Sequence, residues 1–187
     1  MKYFFDTEFI DHKGGIDLIS IGIVREDGKE FYAISTEFKP RRADKWVKEN
    51  VIAKLPERYP NPNYGSPNWR EKALAWKKLS EIKQGILEFV GDDEDPEFYA
   101  YFADYDWVVF CRNLFGRMID LPRHFPMWCR DLKQMMWERN LDKEWKRLAV
   151  PDNENEHDAL DDARWNLQLY KKIMAVSTTP TKEEKTV

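Results

Sequence analysis

Three stretches of this 187-residue chain carry side chains suited to acid–base or metal chemistry. The first is Asp6-Thr7-Glu8, inside the run Lys2-Tyr3-Phe4-Phe5-Asp6-Thr7-Glu8-Phe9. The run is aromatic and lacks Gly and Pro, so it reads as a β-strand. Strand side chains alternate faces, which places the Asp6 and Glu8 carboxylates side by side at the end of an otherwise apolar strand. Neighbouring like charges are costly away from water unless they are paired or bind a cation. The pair is therefore a candidate divalent-metal site; a solvent-exposed strand end is the plainer alternative, because so short a motif is weakly specific. The second stretch is Asp104-Tyr105-Asp106, and the third is Glu156-His157-Asp158-Ala159-Leu160-Asp161-Asp162.

The elements that must position these groups alternate between strand and helix. Ile16 to Val24 is a second strand, nearly continuous in apolar residues and so covered on both faces. Asp27-Gly28 is a hairpin signal, and Glu30 to Ser35 completes an antiparallel meander. Pro40 to Asn68 is irregular and Pro-rich, with one short helical piece near Ala43 to Lys54 and a basic group at Lys39, Arg41 and Arg42. Trp69 to Val90 has helical spacing, with Ala73, Trp76, Leu79, Ile82, Ile86 and Phe89 on one face. Phe98 to Phe102 is a fourth strand, reached by a crossover and so parallel to the first. Asp104 and Asp106 then sit at a strand carboxyl end, where ligands of α/β sheets collect. Asp104 fits the N-cap of a helix spanning Trp107 to Phe115. Met127 to Cys129 is a fifth strand, Leu132 to Asn140 a helix, and Leu148 to Glu156 a polar connection. A last helix runs from about Asp158 to Val176, with Leu160, Ala163, Leu167, Tyr170, Ile173 and Met174 buried. Ser177 to Val187 reads as a disordered tail after a single domain spanning 1–176.

Composition excludes several classes. Hydrophobic residues make up 42% of the chain, which excludes disorder, and no apolar run reaches the length of a membrane span. No secretory leader is visible and the two cysteines, Cys111 and Cys129, show no disulfide or metal spacing, so a reducing, cytoplasmic setting is expected. A net charge of −4 is unlike a generic nucleic-acid binder; a phosphodiester would need cations to approach such acids.

Taken in order, the three stretches resemble the exonuclease motifs of the DEDDh 3′→5′ exonucleases: Asp6-Thr7-Glu8, then Tyr105-Asp106 after a strand, then His157-x-Ala159-x-x-Asp162. The opening Tyr3-Phe4-x-Asp6-Thr7-Glu8-Phe9-Ile10, the strand Leu18-Ile19-Ser20-Ile21-Gly22, Ser35-Thr36-Glu37-Phe38 and His157-Asp158-Ala159-Leu160 with Asp162-Ala163-Arg164 are similar to the small polyadenylate-specific exoribonucleases, called RNase AS. The resemblance implies a ribonuclease H-like α/β fold with a mixed five-stranded sheet flanked by helices. It implies hydrolysis of single-stranded RNA with a free 3′ hydroxyl, a preference for adenylate 3′ ends, and a homodimer. Two Mg²⁺ or Mn²⁺ ions are implied on Asp6, Glu8, Asp106 and Asp162, with Asp6 bridging them and His157 as general base. Phe9, beside Glu8, is a candidate to stack on the terminal base or else a core aromatic. A 3′→5′ exodeoxyribonuclease and a non-catalytic nucleic-acid-binding relative stay open as alternatives.

One point of spacing favours a different pair. Helix residues advance by ~100°, so His157 and Asp162 would lie roughly 140° apart on a continuous helix, whereas Asp158 with Asp162, or His157 with Asp161, would align better. The resemblance selects His157 with Asp162, and that pairing works if His157 precedes the helix and reaches in from a loop, leaving Asp158 as a helix cap.

Overall fold

The computed structural model describes residues 1–58, 74–151, 153 and 155–176. The tail expected from Ser177 onward lies outside them, as do residues 59–68 of the Pro-rich stretch and the first turn expected of the Trp69–Val90 helix. One mixed sheet of six strands forms the centre, in the order β4-β3-β2-β1-β5-β6. Strands β1 (Lys2–His12), β2 (Gly15–Arg25) and β3 (Glu30–Ser35) form the expected meander. Short strands β4 (Trp76–Lys77) and β6 (Arg130–Asp131) extend it at the two edges, and β5 (Glu97–Ala100) runs parallel to β1. The sheet thus has six strands where five were expected. Trp76 and Lys77 are strand, not helix, and the fifth expected strand is shifted from Met127–Cys129 to Arg130–Asp131.

Alternation along β1 divides the core. Tyr3 and Phe5 point to one face, among Ile82, Ile86, Phe98 and Phe110. Phe4 points to the other, among Tyr99, Leu132, Leu169 and Ile173. The first face is covered by α2 (Leu79–Val90) and α3 (Ala103–Phe110), which a π-helical turn continues through Cys111–Phe115. The second is covered by α4 (Leu132–Glu138), α5 (Lys143–Ala149) and α6 (Ala159–Ala175). Between β3 and β4 the chain carries a short helix, α1 (Lys45–Asn50), close to where one was expected. No helix among the described residues is long and apolar enough to cross a membrane.

Several local expectations are corrected. Helix α5 lies in a region that begins before the expected polar connection and overlaps it; Asp142 caps it by accepting the N–H of Trp145. The buried face of α6 is Ala159, Ala163, Asn166, Leu169 and Ile173, while Met174 is half exposed. Asp104 does not cap α3. The helix opens one residue earlier than Asp104, after Phe102 in the left-handed region (φ 59), and the Ala103 N–H donates to Asp131 Oδ2 at 3.1 Å. Asp131 Oδ1 also accepts from Lys133 and Gln134, so one carboxylate holds the starts of both α3 and α4.

The packing that fixes α6 against the sheet depends on Gly22. This residue lies opposite Asp6 in the β1–β2 ladder. A Cβ there would fall 2.3 Å from the Ala159 carbonyl oxygen and 2.4 Å from Leu160 Cα. Glycine lets the first turn of α6 rest directly on the β2 backbone. Farther along, buried Asn166 donates to the Phe5 carbonyl oxygen at 2.9 Å, which fixes the helix's rotation over β1.

Candidate active site

Strand β5 ends early and thereby opens the site. Its ladder with β1 stops at Phe4–Tyr99, whereas β1 continues to His12. Asp6 and Glu8 therefore lie in the middle of β1, not at its end as expected, but they lie past the end of its parallel neighbour. Both point to the Phe4 face, under the N-terminus of α6. The edge left by β5 is taken by α3. Asp106 Oδ1 accepts from the Thr7 N–H at 2.8 Å and from Thr7 Oγ1 at 2.6 Å. Asp106 is buried and Asp104 is exposed, so the structure brings Asp106 to the acids of β1 and leaves Asp104 outside.

The third stretch arrives from a loop. His157 has φ 72, outside α6, and its N–H donates to Asp162 Oδ2 at 2.9 Å. The left-handed backbone removes the angular problem of a continuous helix. It turns the imidazole toward β1, where Nδ1 lies 3.8 Å from Glu8 Oε1. Single ligand atoms of Glu8, His157 and Asp162 lie within 4.8 Å of one another. Asp158 caps α6 as expected, accepting from Leu160 and Asp161. Asn153 donates to Asp162 Oδ1 at 2.8 Å. From the other side Trp46, on α1, meets the His157 ring edge-on at 4.7 Å, and Lys54 Nζ donates to the Glu156 carbonyl oxygen at 2.9 Å.

Asp6, Glu8, Asp106, His157 and Asp162 all line one cavity of about 560 Å³. The electrostatics are those of an under-neutralised acid cluster. Burial pushes Glu8 up to about 8, reinforced by the charges of Asp162 and Asp106. Burial pushes Asp106 up to about 7, although its hydrogen bonds from Thr7 pull the other way. Asp6 is raised well above the usual carboxylate range by burial first and then by Asp106, Asp162 and Glu8. Burial also raises Asp162, against the bonds from Asn153 and His157. Among the described residues no donor is hydrogen-bonded to the Asp6 carboxylate.

Phe9 follows a register shift in the β1–β2 ladder and is half-buried. It packs against the core and also lines the main cavity and a neighbouring one of about 260 Å³ beside Trp46. Sequence reasoning did not single out Thr7, Trp46, Lys54 or Asn153. Only Thr7 carried a local signal, being the residue between the two acids. Arg42, from the basic group at the start of the Pro-rich stretch, is committed to Asp17 at 2.9 Å. Cys111 is buried and free, with a thiol raised to about 11 by burial; Cys129 is half-buried and free.

A mixed sheet with acids clustered beside its central strand, flanked by a loop histidine, defines a ribonuclease H-like domain of the exonuclease type. Solved structures of exonuclease I share the fold: one has a TM-score of 0.60 at 12% identity, covering 92% of this chain and 40% of that one. A second, ligand-free exonuclease I structure gives a TM-score of 0.55 at 13% identity, covering 92% and 41%. The chain belongs to the Rv2179c-like 3′-5′ exoribonuclease domain family, whose model matches residues 1–174. It is 39% identical over 175 residues to the 3′-5′ exoribonuclease Rv2179c of Mycobacterium tuberculosis strain H37Rv, covering 92% of this chain and 93% of that protein. The 3′-5′ exoribonuclease MT2234.1 of strain CDC 1551 matches equally, at 39% over 175 residues.

Proposed function

We propose that this protein is a divalent-metal-dependent 3′→5′ exoribonuclease of the DEDDh type, acting on single-stranded RNA with a free 3′ hydroxyl and releasing nucleoside 5′-monophosphates. The observation that carries the reading is the convergence of Asp6, Glu8, Asp106, Asp162 and His157 on one cavity in a member of this family. The donor set fits hard cations. It offers four carboxylates with raised proton affinity, and the Asp6 carboxylate lacks a hydrogen-bond donor among the described residues. Oxygen-only ligands of this kind suit Mg²⁺ or Mn²⁺, and Asp6, Glu8, Asp106 and Asp162 would hold two ions. When bound, such ions supply charge stabilisation to the attacking and leaving oxygens of an in-line displacement.

The chain's own residues do the rest. His157 takes the proton of the attacking water, a task that suits an imidazole because it can accept and release a proton near neutral pH. The Asp162 carboxylate, by accepting the His157 N–H, keeps the ring aimed at Glu8. Trp46 packs against that ring and limits its rotation. Asp106 spends one oxygen on Thr7 and presents the other to the cluster. Phe9 offers a ring to the terminal base at the rim of the cavity. The preference for adenylate 3′ ends and the homodimer rest on the likeness to RNase AS alone.

The test is product analysis of 5′-labelled single-stranded RNA with Mg²⁺ or Mn²⁺, beside a matched DNA strand. Stepwise shortening from the 3′ end, stopped by chelator and by a 3′-phosphate, is expected. Internal cuts, or equal rates on RNA and DNA, would overturn the reading. Comparison of A, C and U homopolymers and solution scattering of the mass check the base preference and the dimer.

A further inference from the structure

Another part of the cavity wall is aromatic and basic. Tyr101 and Trp165 meet edge-on at 5.6 Å, and Lys146 of α5 lies with its Nζ 5.0 Å from the centroid of each ring. Trp165 is fixed at its far end, where Nε1 donates to the Pro151 carbonyl oxygen at 3.1 Å. It stands three residues after Asp162 on α6, about one turn along the helix, so the ring is held at a set offset from that carboxylate. Among the described residues that line the cavity, Lys146 is the one lysine or arginine, and it shares the cavity with five carboxylate side chains.

The way Lys146 is held matters more than its presence. Its neighbour Arg147 pairs with Glu144, whereas no carboxylate among the described residues lies within ion-pair distance of Lys146. A salt bridge would cancel its charge. Two ring faces attract the ammonium without cancelling its charge. The side chain is half-buried, so part of the ordering entropy of a long side chain is already spent. The result is a fixed positive charge with three donors, beside an acid cluster that would hold cations for the phosphodiester being cut.

A substrate strand carries further phosphates, and the cavity is large enough for more than the reacting group. We propose that Lys146, seated on Tyr101 and Trp165, binds the backbone phosphate next to the one being cut, and so sets how the retained strand lies in the site. The proposal rests on the exoribonuclease reading. Its ligand is the phosphodiester backbone and not a base, because an ammonium over ring faces presents charge and no shape code.

The experiment compares two substrates of the full chain with Mn²⁺. One is a short single-stranded RNA. The other is the p-nitrophenyl ester of a nucleoside 5′-monophosphate, which has a phosphodiester to cut and no second phosphate. Lys146→Gln should lose at least about tenfold more kcat/KM on the RNA than on the ester, through KM. The slope of log KM for RNA against log salt should fall by about 0.7, the value for one phosphate contact on a single strand. Lys146→Arg should restore most of the loss. Equal losses on both substrates, no loss on RNA, or an unchanged salt slope would overturn the proposal. A wild-type protein that cleaves neither substrate would overturn the exoribonuclease reading, and the proposal with it.

Discussion

The acid cluster should make the metal-free protein less stable as the pH rises through neutrality. The perturbation is a pH titration in chelator. Glu8 is held at about 8 in the folded chain against an ordinary 4.5. A carboxylate raised on folding binds its proton more tightly in the folded state, so its contribution is fully present below about 4.5 and lost as pH rises to about 8. At ~1.4 kcal/mol per pH unit, Glu8 taken alone gives a fall of ~4–5 kcal/mol between those limits. Asp106, at about 7, acts in the same direction over an overlapping window, but the two repel each other and their effects do not add. The carboxylates held low by partners, such as Asp17 beside His12 and Arg42, lose their contributions only below about pH 4 and leave this window clear. For a chain of this size 1 kcal/mol moves the melting temperature by ~2–4 °C, so a drop on the order of 10 °C is expected between pH 5 and pH 8. Thermal melts in chelator measure it. Mn²⁺ at pH 8 should recover the loss, and Glu8→Gln should flatten the profile. A melting temperature that is level or rising from pH 5 to pH 8, or unmoved by Mn²⁺ at pH 8, would refute the reasoning.

Other substitutions test single parts. His157→Ala should lower kcat on RNA by about 10²–10⁴-fold with little change in Mn²⁺ affinity, read by steady-state kinetics and metal titration. Asp106→Asn keeps an oxygen for the Thr7 donors while removing a repelling charge, so its melting temperature in chelator should hold or rise while activity is lost. Asp104→Asn should retain activity; the reverse pattern would show that the wrong acid of the pair has been assigned. Gly22→Ala drives a methyl group into the Ala159 carbonyl and should destabilise the fold by about 1–3 kcal/mol, seen as a lower denaturant midpoint.

The parts of the site legible in the sequence were those set by short-range geometry. Period-two alternation placed Asp6 and Glu8 on one face, and a crossover placed β5 parallel to β1. The angular mismatch between His157 and Asp162 pointed to a loop, and the chain meets it with a left-handed residue. What was not legible depends on distant partners. The cap of α3 comes from Asp131, 28 residues away, so the nearby Asp104 looked like the better candidate. Trp76 sat in phase with the apolar face of the following helix, but it pairs with Ile34 as an edge strand before α2 begins. Asn153 and Trp46 had no local pattern at all; only the folded chain brings them to Asp162 and His157.

The shared cap at Asp131 has a consequence for how the site opens. The N–H groups of Ala103, Lys133 and Gln134 all depend on one carboxylate. Asp131 is itself paired with Ala100 at the sheet edge, so its position depends on the two-residue strand β6. Fraying of that strand would release both helix starts together. The first turn of α3, which carries Asp106, would then exchange its amide hydrogens in step with α4 and the outer strand, not with the central strand that carries Asp6 and Glu8. The acids of the site thus belong to two units of different local stability, and hydrogen exchange should resolve them as such.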